Sequence, residues 1–245
     1  MKILLRLAAL VLAASTLAAC GTPIRREAFN AALHGSPKVI KVLPMRFVEV
    51  DLFILGNPGF DLGLIGYVFT EPGRQAKADW LREEARVRRF NPVASFQGAL
   101  AHALAGRGTA LEFSAEVMER SNAKTRRTQW GLRRHYEPVR ADAQLDVNFD
   151  FVGYTAAGRR DSSPYRPTAV VSARLVSADG RRVLFEDQIV YNGAYTGRED
   201  DAITINPDER YRYTRFDDIK AAGTDAMRGL DLALAAAAEE LAKQL

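Results

Sequence analysis

Residues 142–151, DAQLDVNFDF, and residues 167–194, PTAVVSARLVSADGRRVLFEDQIVYNGA, decide the fold. In the first stretch Ala143, Leu145, Val147, Phe149 and Phe151 alternate without error with Asp142, Gln144, Asp146, Asn148 and Asp150. A period of two puts each set on its own face of a pleated strand, which predicts one buried face and one wet face. In the second stretch two β-rich runs, 167–177 and 182–194, flank Ala178-Asp179-Gly180. Asp-Gly favours the positive-φ backbone of a tight hairpin, so the two runs are expected to pair antiparallel.

Upstream, residues 38–45 (KVIKVLPM) read as a short buried strand stopped by Pro44. Residues 51–70 are apolar but interrupted by Gly56, Pro58, Gly59, Gly63 and Gly66, and read as a loop and helix start packed on the core. From Arg74 to Phe90 the pattern turns helical, with Ala78, Leu81 and Ala85 toward the core. A second helix is marked by Asn91 as N-cap, Pro92 in the first helical position, and Val93, Phe96, Leu100 and Leu104 at three- and four-residue spacing. A strand follows over 109–116. Downstream, Arg210-Tyr211-Arg212-Tyr213 reads as a short strand with tyrosines and arginines on opposite faces. Met227, Leu230, Leu234, Ala237, Leu241 and Leu245 then form the stripe of a terminal helix, with Thr224 as its cap. The expected class is α+β, an α/β sandwich: one domain over 38–245, with a mixed, mostly antiparallel sheet packed by two or three helices and a long C-terminal helix.

The chain has 245 residues, 47% hydrophobic and 26% charged, which excludes a disordered or low-complexity polymer. A single cysteine, Cys20, excludes an intramolecular disulfide. Before it stand a positive start (Lys2, Arg6), an apolar run from Leu7 to Ala19 and the ending Leu17-Ala18-Ala19-Cys20. The run is short for a spanning helix, which needs about 20 apolar residues, and it ends in small residues as a signal peptide does. This segment resembles the lipobox of bacterial lipoproteins. The resemblance implies removal of residues 1–19, acylation of Cys20 with palmitate-like chains, and a lipid-anchored tether over 20–37. Gly21, rather than aspartate, follows the cysteine, which by the same resemblance favours the periplasmic face of the outer membrane. A plain secretory signal with an incidental Cys20 is the alternative. Subtracting Lys2 and Arg6 from 34 basic residues leaves 32 against 30 acidic ones, so overall charge does not argue for a polyanion. Export also makes nucleic acid an implausible partner.

The anchored Cys20, the KVLPM strand, a helix running into TALEFSA, the strand ADAQLDVNFDFVGY, the hairpin and the Ala/Leu-rich terminal helix together resemble a group of Gram-negative envelope lipoproteins. Their α/β domain is similar to the N-terminal domain of TolB. The group includes the curli-secretion lipoprotein, penicillin-binding-protein activators and auxiliary lipoproteins of ABC transporters. What the resemblance implies is a non-enzymatic accessory to assembly, secretion or transport, with an envelope protein complex as partner and the membrane held through the lipid anchor.

No complete catalytic or cofactor motif stands beside this. His34, His102 and His135 lack metal-ligand spacing, and Ser121-Asn122-Ala123-Lys124 lacks the companion motifs of S-x-x-K enzymes. No metal or cofactor is expected. Asp142, Asp146 and Asp150 share a strand face, but i,i+4 neighbours on a strand are roughly 13 Å apart, too far for one ion. The most suggestive surface is the stretch 119–140, where Lys124, Arg126, Arg127, Arg133 and Arg134 interleave with Trp130 and Tyr136. In the periplasm such chemistry suits lipid headgroups, phosphorylated glycans or an acidic protein face. A lipid- or glycan-binding lipoprotein using 124–140 is therefore the alternative function. The plain alternative is a solvated loop.

Overall fold

The computed structural model describes residues 26–46, 48–55, 63–114, 130–158, 163–193 and 202–245, with 63–72 as backbone only. Cys20 lies outside the described residues.

Seven strands form one mixed sheet: β1 (Val39–Val42), β2 (Asp51–Ile54), β3 (Ala110–Phe113), β4 (Ala143–Ala156), β5 (Tyr165–Ser177), β6 (Val183–Tyr191) and β7 (Ile203–Ile205). Their order is β3-β1-β4-β5-β6-β7. β4, β5 and β6 form the antiparallel meander that the alternation and the Asp-Gly turn predict, but a bulge between Phe149 and Phe151 turns Phe151 to the opposite face from Phe149, where it packs with Val170 and Val190. β1 and β2 share one flank of β4, both parallel to it: β1 runs along Ala143–Leu145 and β2 along Gly153–Ala156. At the hairpin tip Gly180 has φ 75°, and a Cβ there would fall 2.3 Å from the Tyr136 carbonyl oxygen. Only glycine fits.

Among the described residues five α-helices accompany the sheet: α1 (Ala31–His34), α2 (Gly63–Val87), α3 (Pro92–Ala105), α4 (Phe216–Ala222) and α5 (Thr224–Gln244). α3 begins as its sequence dictates, with the Asn91 side chain accepting from the Val93 and Ala94 amides and Pro92 in the first turn. α3 packs on α5, and α5 on β5 and β6. Their apolar stripes, Phe96, Leu100 and Leu104 with Leu234 and Leu241, join Ile40, Leu145, Val171 and Phe185 in the main core. Ala233, Ala237 and Ala238 of α5 are fully buried, so small side chains bring this helix close to the sheet. A second cluster packs α2 and α4 around Leu52, Leu81, Tyr154, Phe216 and Ile219. The architecture is the expected α+β class.

Four details differ from the sequence reading. Residues 51–54, read as loop, form β2, because Gly153 opposite them has no side chain: a Cβ there would stand 1.9 Å from the Asp51 carbonyl oxygen. α2 starts at Gly63, well before Arg74. Residues 209–211 form a 3-10 turn capped by Asp208 rather than a strand, and only Tyr213 pairs, with Tyr165. Thr224 is not a cap: Gly223, at φ 47°, separates α4 from α5, and the Thr224 hydroxyl accepts from Arg88 instead.

The tether expected over 20–37 also proves shorter. Glu27 pairs antiparallel with Glu186, their amides and carbonyls exchanging bonds of 3.0 and 2.9 Å. Arg26 forms an ion pair with Asp187 at 3.2 Å, and Phe29 packs against the main core. β7 reaches only Ile189–Tyr191, which leaves the edge of β6 at Glu186 without a strand partner from that side. An exposed edge invites pairing, and the incoming chain supplies it.

Candidate functional site

The wet face expected of β4 is buried. Gln144 is 1% exposed, Asp146 0% and Asn148 9%; only Asp142 and Asp150 at the ends of the row are exposed. The cover is residues 130–141, lying across this second face of the sheet. Trp130 (4%) and Leu132 (0%) are buried within it. Gly131, at φ 69°, approaches so closely that a Cβ would lie 2.4 Å from the Asn148 amide nitrogen.

An ionised carboxylate survives such burial only with charge and hydrogen-bond partners around it. Asp146 has both. It accepts from the Arg133 amide at 2.6 Å, from the Arg133 guanidinium, and from the Tyr136 hydroxyl at 3.1 Å. The other end of the Arg133 fork donates to the Pro44 carbonyl at 2.8 Å. Beside it Arg174 of β5 grips Glu186 of β6 through two parallel bonds of 2.9 and 2.6 Å, the bidentate geometry that makes such pairs strong. Arg174 also donates to the Arg133 carbonyl at 2.9 Å and to the Tyr136 hydroxyl at 3.3 Å. Burial disfavours the charged guanidinium, but Glu186 and Tyr136 outweigh it and hold Arg174 firmly protonated. Burial, then the neighbouring Asp146 charge, pushes the Tyr136 phenol well above its ordinary value.

The layer continues along the sheet. Gln144 donates to the Glu137 carbonyl at 2.8 Å, tying β4 to the covering segment. Asp150 accepts from Asn148 at 2.7 Å, from Gln188 at 3.1 Å and from Ser172. Asn192 bridges Thr155 and Thr168 at 2.9 and 2.8 Å. Among the described residues the Trp130 indole N–H, which is buried, meets no hydrogen-bond acceptor.

The basic-aromatic stretch therefore divides. Trp130, Arg133 and Tyr136 point into the fold and hold the cover shut. Arg134 is exposed. Lys124, Arg126 and Arg127 lie outside the described residues. The composition that suggested an anion surface is thus, for three of its seven members, a clamp. The contact chemistry is arginine to carboxylate in both cases, so composition alone could not separate an internal carboxylate from an external one.

A cleft of about 470 Å³ lies between the β1–β2 connection, the end of α2 and the start of α3. Its cations are Arg82, Arg86 and Arg89; its acids are Glu49, Asp79 and Glu83. Arg82 is held by Asp79, Asp51 and Glu49 at 2.8, 3.1 and 3.4 Å, and Arg86 by Glu83 at 2.5 Å. The cleft is charge-balanced. The sequence carried no sign of it, since arginines and acids three apart on a helix read as ordinary surface pairs. Among the described residues no group of three His, Cys, Asp or Glu side chains stands close enough to hold a metal ion.

No protein-family model matches the chain, and no curated protein matches it.

Proposed function

We propose that this chain is a non-enzymatic outer-membrane lipoprotein whose periplasmic α+β domain acts as an accessory factor in envelope assembly, secretion or transport. The observation that carries the reading is the sequence of the leader: Lys2 and Arg6, then the apolar run to Ala19, then a solitary Cys20. Two or more acyl chains on that cysteine anchor a protein stably, whereas one does so only marginally. The lipid- or glycan-binding alternative loses support from the inward placement of Trp130, Arg133 and Tyr136.

Crosslinking in cells, purification and mass spectrometry test the proposal, with Cys20→Ala as control. Recovery of a defined envelope complex with the anchored form, and its loss with Cys20→Ala, is the expected result. Full function from a soluble Cys20→Ala protein sinks it. Recovery of glycan or lipid without stoichiometric protein shifts the reading to the ligand-binding alternative.

A further inference from the structure

The point at which the chain joins the sheet fixes how far the domain can stand from its anchor. Residue 26 is the first of the described residues, and it is already held: Arg26 is paired to Asp187, and Glu27 is hydrogen-bonded both ways to Glu186. Six residue steps separate Cys20 from Arg26, and six residues fully extended span about 20 Å. Had the domain begun at Lys38, eighteen steps would have allowed about 60 Å.

The same contacts fix which part of the domain is held near. Arg26 lies beside β6, on the flank that β7 occupies two residues further along, where Ile203 pairs with Ile189. The opposite edge of the sheet is β3. Five inter-strand spacings of about 4.8 Å lie between the flank of β7 and β3, so the two edges stand about 24 Å apart.

We infer that the docked segment from Arg26 to Phe29 acts as a short leash that keeps the β6–β7 edge of the domain within about 20 Å of the bilayer surface, nearer to it on average than the β3 edge. The occupant of the β6–β7 side is the lipid headgroup layer itself, placed there by chain length and not by a headgroup pocket. The inference rests on acylation of Cys20, and it narrows the accessory role to targets that come within about one domain diameter of the membrane.

Energy transfer to labelled lipid measures the geometry. The full chain, purified from membranes as Thr204→Cys or Glu112→Cys, is dye-labelled through the new thiol. Both positions are exposed, one on β7 and one on β3. It is then placed in phosphatidylethanolamine–phosphatidylglycerol vesicles carrying acceptor lipid. At least twofold more efficient transfer is expected from position 204 than from position 112. Inserting 24 Gly/Ser residues between Arg25 and Arg26 should abolish the difference. Equal transfer from the two positions on the natural leash, or the reverse order, overturns the inference while leaving the anchor intact. A parent chain whose Cys20 itself takes the dye, and which fails to float with vesicles, overturns the anchor reading and the leash with it.

Discussion

Asp146 and Arg133 show how a single pair governs the second face of the sheet. Both are nearly dry, with side chains 1% and 11% exposed. Removing one partner leaves a buried charge uncompensated, which costs about 3–5 kcal/mol, whereas replacing both by apolar residues of similar volume is often close to neutral. Asp146→Ala should therefore lower the urea unfolding free energy by about 3–5 kcal/mol, and Arg133→Met/Asp146→Leu should recover only part of that loss, because the Arg133 amide and the Tyr136 hydroxyl still lose their acceptor. A single mutant within 1 kcal/mol of the parent would show that the pair does not hold the cover. Gly153 makes a second demand of this kind. A methyl group there meets the Asp51 carbonyl oxygen at 1.9 Å, and neither backbone can retreat without breaking the β2–β4 ladder. Gly153→Ala is expected to destabilise by about 3 kcal/mol, at the upper end of overpacking costs, in the same assay.

Helix ends illustrate what local sequence does and does not dictate. The start of α3 was legible because Asn91 and Pro92 act within one turn, through bonds to Val93 and Ala94. The end of α2 was not. There the Phe90 amide reaches the Ala85 carbonyl at 2.8 Å and the Arg89 amide reaches Arg86 at 3.1 Å, the paired bonds of a Schellman stop. Such a stop needs a left-handed residue, normally glycine, and here Arg89 supplies it at φ 54°. Arg89→Gly should raise stability by about 1 kcal/mol, the cost an L-residue bears in that conformation; a loss on thermal or urea unfolding would mean that the Arg89 side chain makes a compensating contact. The same contrast runs through the sheet. The β4–β5–β6 meander was readable because alternation and an Asp-Gly turn are local signals. β2 is four residues long and exists because Gly153, a hundred residues later, leaves room for it. The polar face of β4 was read as solvated because its partners, Arg133, Tyr136, Arg174 and Glu186, come from other segments. Alternation reports which residues share a face only until a bulge intervenes, as one does between Phe149 and Phe151, and it does not report what will cover that face.

Across the molecule, a half-buried tyrosine and a buried one lock together parts that are far apart in sequence. Tyr136 fastens the cover to β4 through Asp146, and Tyr154 donates to the Ala226 carbonyl of α5 at 2.8 Å. Burial is the main cause that raises both phenols above their ordinary value near 10; the Asp146 charge adds to it for Tyr136 and the neighbouring Tyr213 for Tyr154. A folded-state value above the unfolded one means that the unfolded chain gives up these protons first as pH rises. The stabilisation from these phenols is thus fully present below about pH 10 and is lost progressively above it. In an alkaline titration followed by tyrosinate absorbance, at least two of the eight tyrosines should stay protonated until the circular dichroism of the fold collapses, then ionise together with it. Tyr136→Phe should remove one of the late-titrating groups and, by deleting one donor to Asp146, lower stability by about 1 kcal/mol at neutral pH. If all eight tyrosines titrate near pH 10 while the fold persists, the cover opens freely to solvent, and the polar layer beneath it must be reconsidered as an accessible surface rather than a closed clamp.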